Sequence, residues 1–371
     1  MQHDHKRTTT LSLSEKLILI SCREKSGATS SNRFDYQKDW TIGKLIELHT
    51  TKSDYLIICD YHEDVVILNS EDNPTSGTFV QVKTDKTNTW TSTRLVKRDI
   101  GKGGTILNSI LGKLTSTVQQ FSDFNPDMAV VSNARFNFKL GDGTKSLSLD
   151  LVKLSELGDE ELKKIDDAIK TECGVDKYHL NFECCFEVSD LSLQDHSSHT
   201  KGKIVKFLED IGHDKSANAT ALYRVLFDSV KNKANIEGNI GNYQELLAKK
   251  GIGKSYLDNM IQTIAGSKDI NEMWTMLHGA LTNESVPPVK LVRIRNEWEQ
   301  FDIDRLDPLN EVLQELRKQV RSAVADIIAV NEDITITAMA AEVIKAIDSK
   351  CRTGFSDNYI LAVAFREMYE N

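Results

Sequence analysis

The sequence predicts an α/β domain followed by an all-helical C-terminal region. Three short apolar runs, rich in β-branched residues, lie within residues 54–90 and are separated by turn residues, which is typical of neighbouring strands. Helical and strand patterns then alternate up to residue 200, which favours an α/β sandwich. From residue 201 onward the apolar spacing indicates helices. We therefore predict an N-terminal tail at 1–20, an α/β domain at 21–200 and a helical region at 201–371.

The individual elements follow from local patterns. A helix is predicted over Arg33–His49, because Trp40, Leu45 and Leu48 lie near helical spacing. The α/β pattern then gives strands at Tyr55–Cys59, Val65–Leu68, Phe79–Lys83, Met128–Ser132, Leu147–Leu154 and within Leu180–Leu193, and helices at Ile106–Phe121 and Gly158–Thr171. The later helices are predicted at Ile204–Ile211, Ala219–Lys231, Tyr243–Lys249, Tyr256–Ala265, Asn271–Leu281, Val289–Phe301, Leu309–Ile328, Ile336–Lys350 and Asp357–Tyr369.

Composition limits the class of protein. Hydrophobic residues make up 40% of the 371 residues and charged residues 27%, which suits a globular protein of one to three domains. No apolar run approaches the roughly 20 residues that span a bilayer, so we expect a cytoplasmic protein without membrane contact. The net charge is −9, so nucleic acid could bind only at a local basic patch. The six cysteines lack zinc-type spacing, and the neighbouring His196 and His199 are interpreted as structural residues of a loop.

One constellation of polar residues stands on the predicted strands. Alternate side chains of a strand share a face, so Gln81 and Lys83 should point one way while Val80 and Val82 pack on the other side. Asp64 follows a polar turn that begins at Asp60, so its carboxylate could approach the pair. An Asp followed by Gln-x-Lys is the layout of a PD-(D/E)xK nuclease with Gln in the middle acidic position.

This layout suits metal-assisted phosphodiester cleavage. Mg²⁺ takes hard oxygen ligands and keeps several waters, so few protein ligands suffice. We predict Asp64 as the main ligand of Mg²⁺, or of Mn²⁺ in its place, with the Gln81 side-chain oxygen and the Val82 carbonyl as further ligands. Lys83 would stabilise charge on the phosphate or orient the attacking water. The alternative interpretation is a surface strand with a solvated Lys and Gln, and the spacing alone does not exclude it.

Six blocks of sequence, in order, resemble one nuclease domain family. They are SSNRFDYQKDW, GKLIELH, DYLIICDYHEDVVILN, FVQVKT followed by Trp90-Thr91, SILGKL at 109–114 and AVVSNARFN at 129–137. This domain fronts the SAVED-domain effectors of CBASS anti-phage systems and supplies the nuclease subunit of Lamassu defence systems, including the DdmABC type. The resemblance covers roughly residues 20–235. It implies a restriction-endonuclease-like (PD-(D/E)xK) core that cleaves double-stranded DNA with Mg²⁺.

The resemblance also implies roles for individual residues. Asp64, Gln81 and Lys83 match the active-site strand positions, and Gln37 and Glu47 match the preceding helix. Those two helix residues are ten positions apart, about 80° around a helix, so they should not share one face. Asp60 ends the first predicted strand four residues before Asp64, and it is the rival for the metal-binding carboxylate.

A local basic segment follows the motif. Positive charge beside the metal would hold phosphates without reading bases. The alternative is a solvated charged face that binds nothing. The residues predicted to contact DNA are Lys86, Trp90, Arg94, Lys97 and Arg98.

The length of the helical region indicates which type of partner to expect. About 140 residues after position 230 leave little room for a SAVED-type sensor, which favours a resemblance to the Lamassu nuclease subunit over a CBASS-type effector. The resemblance implies an SMC-like ATPase and a small accessory subunit as partners, and a homo-oligomer when active. We expect residues 201–371 to serve assembly and partner binding. Two alternatives are a helical appendage that only completes the fold, and a non-cleaving nucleic-acid-binding or scaffold protein on a nuclease-like core.

Overall fold

The computed structural model describes residues 11–20, 31–85, 89–176, 183–212, 216–265 and 270–370. The chain divides into two compact units, one made of Met1–Phe207 with Phe227–Lys254 and the other of Leu208–Leu226 with Ser255–Asn371. The predicted boundary at residue 200, between an α/β domain and a helical region that serves assembly, stays a prediction. No helix in the described ranges is long and apolar enough to cross a membrane.

A mixed sheet forms the centre of the first unit. Its described strands are β1 (Leu56–Tyr61), β2 (Glu63–Leu68), β3 (Gly77–Lys83), β4 (Asp127–Ser132), β5 (Leu151–Lys153), β6 (Cys184–Val188) and β7 (Gly251–Gly253). They lie in the order β5-β6-β4-β3-β2-β1-β7. Strands β1, β2 and β3 pair antiparallel, whereas β3, β4 and β6 run parallel. The predicted α/β class is confirmed.

Helices fill the connections and the rest of the described chain. They are α1 (Leu13–Leu19), α2 (Ser31–Thr51), α3 (Ser92–Leu95), α4 (Ile110–Val118), α5 (Asp159–Cys173), α6 (His196–Asp210), α7 (Ser216–Asn235), α8 (Tyr243–Lys250), α9 (Lys254–Ala265), α10 (Ile270–Asn283), α11 (Pro288–Asp304), α12 (Glu311–Val330), α13 (Ile336–Ala346), α14 (Ser349–Arg352) and α15 (Asp357–Glu370). Every element described after β7 is a helix, which confirms the predicted helical C-terminal region.

The core of the first unit lies between the sheet and helices α1, α4, α5 and α8. Leu111, Leu114 and Val118 of α4 pack in one apolar cluster with Phe79 of β3 and Val130 of β4. Helix α4 connects β3 to β4, because parallel strands need a long crossover. Helix α4 therefore packs on the face of the sheet to which Phe79 of β3 points.

A short helix lies within the segment that the sequence predicted as an N-terminal tail. The predicted tail contains α1, whose Leu13 and Leu17 are buried in the same core. Ser12 and Glu15 form a capping box that satisfies the first backbone N–H groups of the helix. The Lys16 ammonium group, 2.6 Å from Asp123, adds an ion pair to this docking.

Strand β7 corrects the prediction of helices alone after residue 200. It pairs with β1 at the edge of the sheet, with Leu56 opposite Gly253 and Ile58 opposite Gly251. A Cβ atom on Gly251 would lie 2.9 Å from the Leu247 carbonyl oxygen, so this close approach requires glycine. Three residues between two helices carry no strand periodicity, and the pairing with β1 alone makes them a strand.

Candidate active site

The β1–β2 hairpin is tighter than the predicted polar turn. Tyr61 pairs with Glu63, so the hairpin tip is the one residue His62, and Asp60 and His62 adopt positive φ angles of 47° and 67°. Such angles are uncommon for residues other than glycine but are tolerated by Asp, Asn and His. The turn therefore uses one residue, and Glu63 and Asp64 both belong to β2.

Asp64 lies where the regular pairing of β2 with β3 ends. The last paired residues of that ladder are Val65 and Val80. Beyond them the Asp64 carboxylate accepts a hydrogen bond of 2.8 Å from the backbone N–H of Val82. The ammonium group of Lys83 lies 3.9 Å from the same carboxylate oxygen. The structure therefore brings Asp64 to the Val82–Lys83 end of β3.

Helix α2 supports this strand from the side. The Gln37 amide donates a hydrogen bond of 3.2 Å to the Asp64 backbone carbonyl. Glu47 lies three helical turns further on, about 15 Å along the axis, and pairs with Lys44 at 2.9 Å. The structure therefore places Gln37 beside Asp64 and Glu47 elsewhere on α2.

The neighbouring pair on the two strands is Glu63 and Gln81. Each is only 8% exposed, and the Gln81 amide nitrogen donates a hydrogen bond of 2.7 Å to the Glu63 carboxylate. The pKa of Glu63 is raised to about 7, mainly by burial and also by the charge of Asp64. Hydrogen bonds from Thr117 of α4 and from Gln81, together with the charge of Lys83, act in the opposite direction.

Sequence reasoning missed Glu63. The polar run from Asp60 to Asp64 resembles a long turn, and in a long turn Glu63 would be solvated. The available signal was the tolerance of His62 and Asp60 for left-handed backbone, which permits a one-residue tip. With that tip, Glu63 becomes a strand residue beside Gln81.

Asp60 has a different setting from Asp64. It is the last residue but one of β1, and its backbone carbonyl accepts a hydrogen bond of 3.2 Å from the Lys250 ammonium group. Asp64, in contrast, contacts both Val82 and Lys83 at the end of β3. The choice of metal-binding carboxylate stays a prediction, and these contacts favour Asp64.

The predicted DNA-contact residues fall into two groups. Trp90 is 7% exposed, and its indole N–H donates a hydrogen bond of 2.8 Å to Ser132 at the end of β4. Arg94 stacks on the Trp90 ring, with 4.2 Å between the guanidinium carbon and the ring centroid, and pairs with Asp85. Both residues thus pack the loop that follows β3 against the sheet.

Lys97 and Arg98 form the exposed group. The Lys97 ammonium group lies 3.8 Å from Asp99, and Arg98 donates a hydrogen bond of 3.3 Å to the Leu107 carbonyl. Both side chains are exposed, in the segment directly after α3. Lys86 lies outside the described residues. The DNA contact of this whole set stays a prediction.

His196 has a structural role in the first unit. It is the first residue of α6 rather than a loop residue, and its ring pairs with the buried Asp39 of α2. Within the described part of the chain, no group of three or more His, Cys, Asp or Glu residues could hold a metal ion. A cation at the β2–β3 site would therefore rely on amide and backbone oxygens as well as carboxylates.

The comparisons with known proteins identify the family of this domain. The family described as "Cap4, dsDNA endonuclease domain" matches residues 25–234, more than half of the chain. Lamassu protein LmuA from Bacillus cereus (strain VD014) is 23% identical over 332 residues, covering 86% of each chain. Residues 1–234 could not supply that share, so the similarity continues into the helical region. The family has a restriction-endonuclease-like fold, as predicted for this core. No solved structure matches the chain.

Proposed function

Because the chain belongs to the Cap4 dsDNA endonuclease domain family, we propose that it is a metal-dependent endonuclease that cuts double-stranded DNA. One observation carries the proposal beyond the family: the Asp64 carboxylate lies 2.8 Å from the Val82 nitrogen and 3.9 Å from the Lys83 ammonium group. A carboxylate from β2 beside a lysine at the end of β3 supplies a metal ligand and a fixed positive charge, both of which suit metal-assisted phosphodiester cleavage.

The donor set fits Mg²⁺, with Mn²⁺ as the alternative. Asp64 would hold the ion with the side-chain oxygen of Gln81 and the backbone carbonyl of Val82. Carboxylate, amide and carbonyl oxygens are the hard ligands that Mg²⁺ prefers, and this ion often binds through only one or two carboxylates. When bound, it polarises the phosphate and makes water a better nucleophile.

The other side chains of the site have distinct tasks. Lys83 supplies fixed positive charge where negative charge develops on the phosphate. Gln37 ties the Asp64 backbone at the start of β2 to α2. Asp64 itself is oriented by the Val82 N–H group, which reduces the freedom of its carboxylate before any ligand binds.

The exposed cations after α3 would bind the DNA backbone. Lys97 and Arg98 carry their charge into solvent, whereas Arg94 is engaged with Asp85. The loop is connected to the site, because Trp90 bonds to Ser132, and Ser132 pairs with Lys83 across β4 and β3. Phosphate contacts of this kind position a duplex without reading its sequence.

We also propose that the protein is the effector subunit of a Lamassu-type defence complex, with an SMC-like ATPase and a small accessory subunit as partners. The similarity to LmuA supports this, because it includes helical residues beyond the nuclease family match. Partner binding would hold the nuclease inactive, and symmetric self-association would set two sites against opposite strands. A CBASS-type effector is the second candidate. Binding of a cyclic oligonucleotide by the protein would distinguish it from a Lamassu-type subunit.

Plasmid cleavage tests the proposal. Purified protein is incubated with supercoiled plasmid and Mg²⁺, alone and with the proteins encoded by neighbouring genes, and Asp64→Ala serves as the blank. We expect nicked and linear products that disappear with EDTA and with Asp64→Ala. Cleavage that persists in EDTA would contradict metal dependence. DNA binding without any cleavage under every condition would favour the non-cleaving scaffold.

A further inference from the structure

The Gln81 carboxamide is held by a single buried carboxylate. Its nitrogen is 2.7 Å from Glu63, and both side chains are almost completely buried. The Glu63 oxygen accepts this bond, and a carboxamide donates only through its nitrogen and accepts only through its oxygen. Glu63 therefore selects the nitrogen of Gln81 and leaves the oxygen on the other side of the group.

We propose that Glu63 is a positioning residue that orients Gln81 so that the amide oxygen, and not the nitrogen, faces the divalent cation. This inference rests on the proposed metal-dependent function. Without Glu63 the carboxamide could turn by 180° at little cost, because nitrogen and oxygen are nearly equal in size. A turned amide would present an N–H donor to a cation.

The pair also explains why position 81 carries Gln where the general motif has an acid. A Glu at this position would place two carboxylates in hydrogen-bond contact, and like charges at that distance cannot both remain ionised. Gln81 is therefore the complement of Glu63. The reciprocal exchange of the two residues restores one carboxylate and one carboxamide, with the roles reversed.

Metal binding by the full-length protein, without DNA, provides a readout separate from cleavage. Mn²⁺ is titrated by electron paramagnetic resonance against wild type, Glu63→Ala, Glu63→Gln and the double exchange Glu63→Gln/Gln81→Glu. Glu187→Gln is the matched control, since it is another partly buried strand glutamate whose pKa is raised by burial. Circular dichroism checks that each variant is folded.

We expect Glu63→Ala to weaken Mn²⁺ binding about tenfold or more, as for other residues that orient metal ligands. Glu63→Gln should lose less, because its side-chain oxygen can still accept from Gln81. The double exchange should bind within about threefold of wild type, and Glu187→Gln should not differ from wild type. A crystal soaked in Mn²⁺ should show the Gln81 oxygen on the metal and Glu63 still bonded to the nitrogen.

The outcomes separate this inference from the proposed function. If wild type binds Mn²⁺ and cuts DNA while Glu63→Ala does the same, only the positioning role is overturned. Equal losses in Glu63→Ala and Glu63→Gln, with Glu63 itself on the metal in the soaked crystal, would make it a ligand and also overturn the positioning role. If wild type neither binds Mn²⁺ nor cuts DNA, the proposed function fails and the inference fails with it.

Discussion

The carboxylate of Asp64 accepts a hydrogen bond of 2.8 Å from the backbone N–H of Val82, just past the last regular pair of β2 and β3. The side chain thus replaces a backbone acceptor at this point of the sheet. Asp64 would therefore serve both as a hydrogen-bond acceptor for Val82 and as an anionic ligand of the cation. An Asp64→Asn substitution separates these roles, because the amide keeps an accepting oxygen but has no charge.

The first prediction ranks the two candidate carboxylates. Asp64→Asn should abolish Mg²⁺-dependent cleavage and remain folded, because its amide oxygen can still accept from Val82. Asp60→Asn should weaken cleavage less, because the Val82 N–H group and the Lys83 ammonium group contact Asp64. Cleavage rates measured against Mg²⁺ concentration decide the ranking. The reverse order would move the metal site to Asp60.

The second prediction concerns Lys83. Its side chain is 33% exposed, so Lys83→Ala should change the free energy of unfolding little. Cleavage should fall by about 10²–10³, the usual cost of losing one preorganised charge-stabilising group. Single-turnover plasmid cleavage measures this, and toxicity in cells should fall with it. Lys153→Ala, at the exposed end of β5, is the control. Wild-type rates in Lys83→Ala would show that the site is assigned wrongly.

The third prediction tests the exposed cations after α3. The double variant Lys97→Glu/Arg98→Glu should weaken duplex binding and reduce the slope of log K against log salt by about 2, because each phosphate contact contributes about 0.9. Fluorescence anisotropy with Ca²⁺ in place of Mg²⁺ measures binding without cleavage. Lys139→Glu/Lys145→Glu gives the same charge change on another exposed loop. If both double variants weaken binding equally, the effect comes from the net charge of the protein and not from a DNA contact of Lys97 and Arg98.

The fourth prediction concerns stability of the helical unit. The Glu284 carboxylate accepts hydrogen bonds of 2.7 and 2.9 Å from the first backbone N–H groups of α13, at Ile336 and Thr337. Although desolvation opposes it, these bonds and the Thr337 hydroxyl lower the pKa of Glu284. At pH 7, Glu284→Ala should lower the free energy of unfolding by about 1 kcal/mol, as for other caps.

The pH dependence of that difference has a definite sign. A lowered pKa in the folded state means that the carboxylate stabilises the fold above its unfolded pKa and loses this effect as pH falls through the folded value. The gap between wild type and Glu284→Ala should therefore close in strongly acidic solution. Urea unfolding at several pH values measures it, with Glu311→Ala in the first turn of α12 as control. A gap that widens at low pH would contradict this account.

The fifth prediction concerns assembly. Val289 and Val292 are 67% and 62% exposed, and their spacing places them on one face of α11. If the helical unit serves assembly, Val289→Asp/Val292→Asp should reduce self-association and partner binding. Size-exclusion chromatography with light scattering measures the first, and co-purification measures the second. Val330→Asp, a single exposed valine at the end of α12, is the control. Unchanged assembly would show that this face is not the interface.

Local patterns in the sequence determined much of this protein. The strands around residues 54–90, the Asp64, Gln81 and Lys83 motif and the long helices are all recognisable because alternation and helical spacing are properties of neighbouring residues. Gln37 was also assigned to the site through the helix that precedes β1, and the structure places it at Asp64. The order of these elements along the chain was enough to predict the fold class.

Tertiary structure alone decided what depends on distant residues. Strand β7 exists because it pairs with β1, nearly 200 residues earlier, so a chain cut near Gly238 would remove part of the sheet. Trp90 is buried in the core of the first unit, where its indole bonds to Ser132, 42 residues later in the chain. Glu63 entered the site because a one-residue hairpin tip set it beside Gln81 across two strands. Each of these contacts joins positions far apart in the chain, and local periodicity carries no information about such distances.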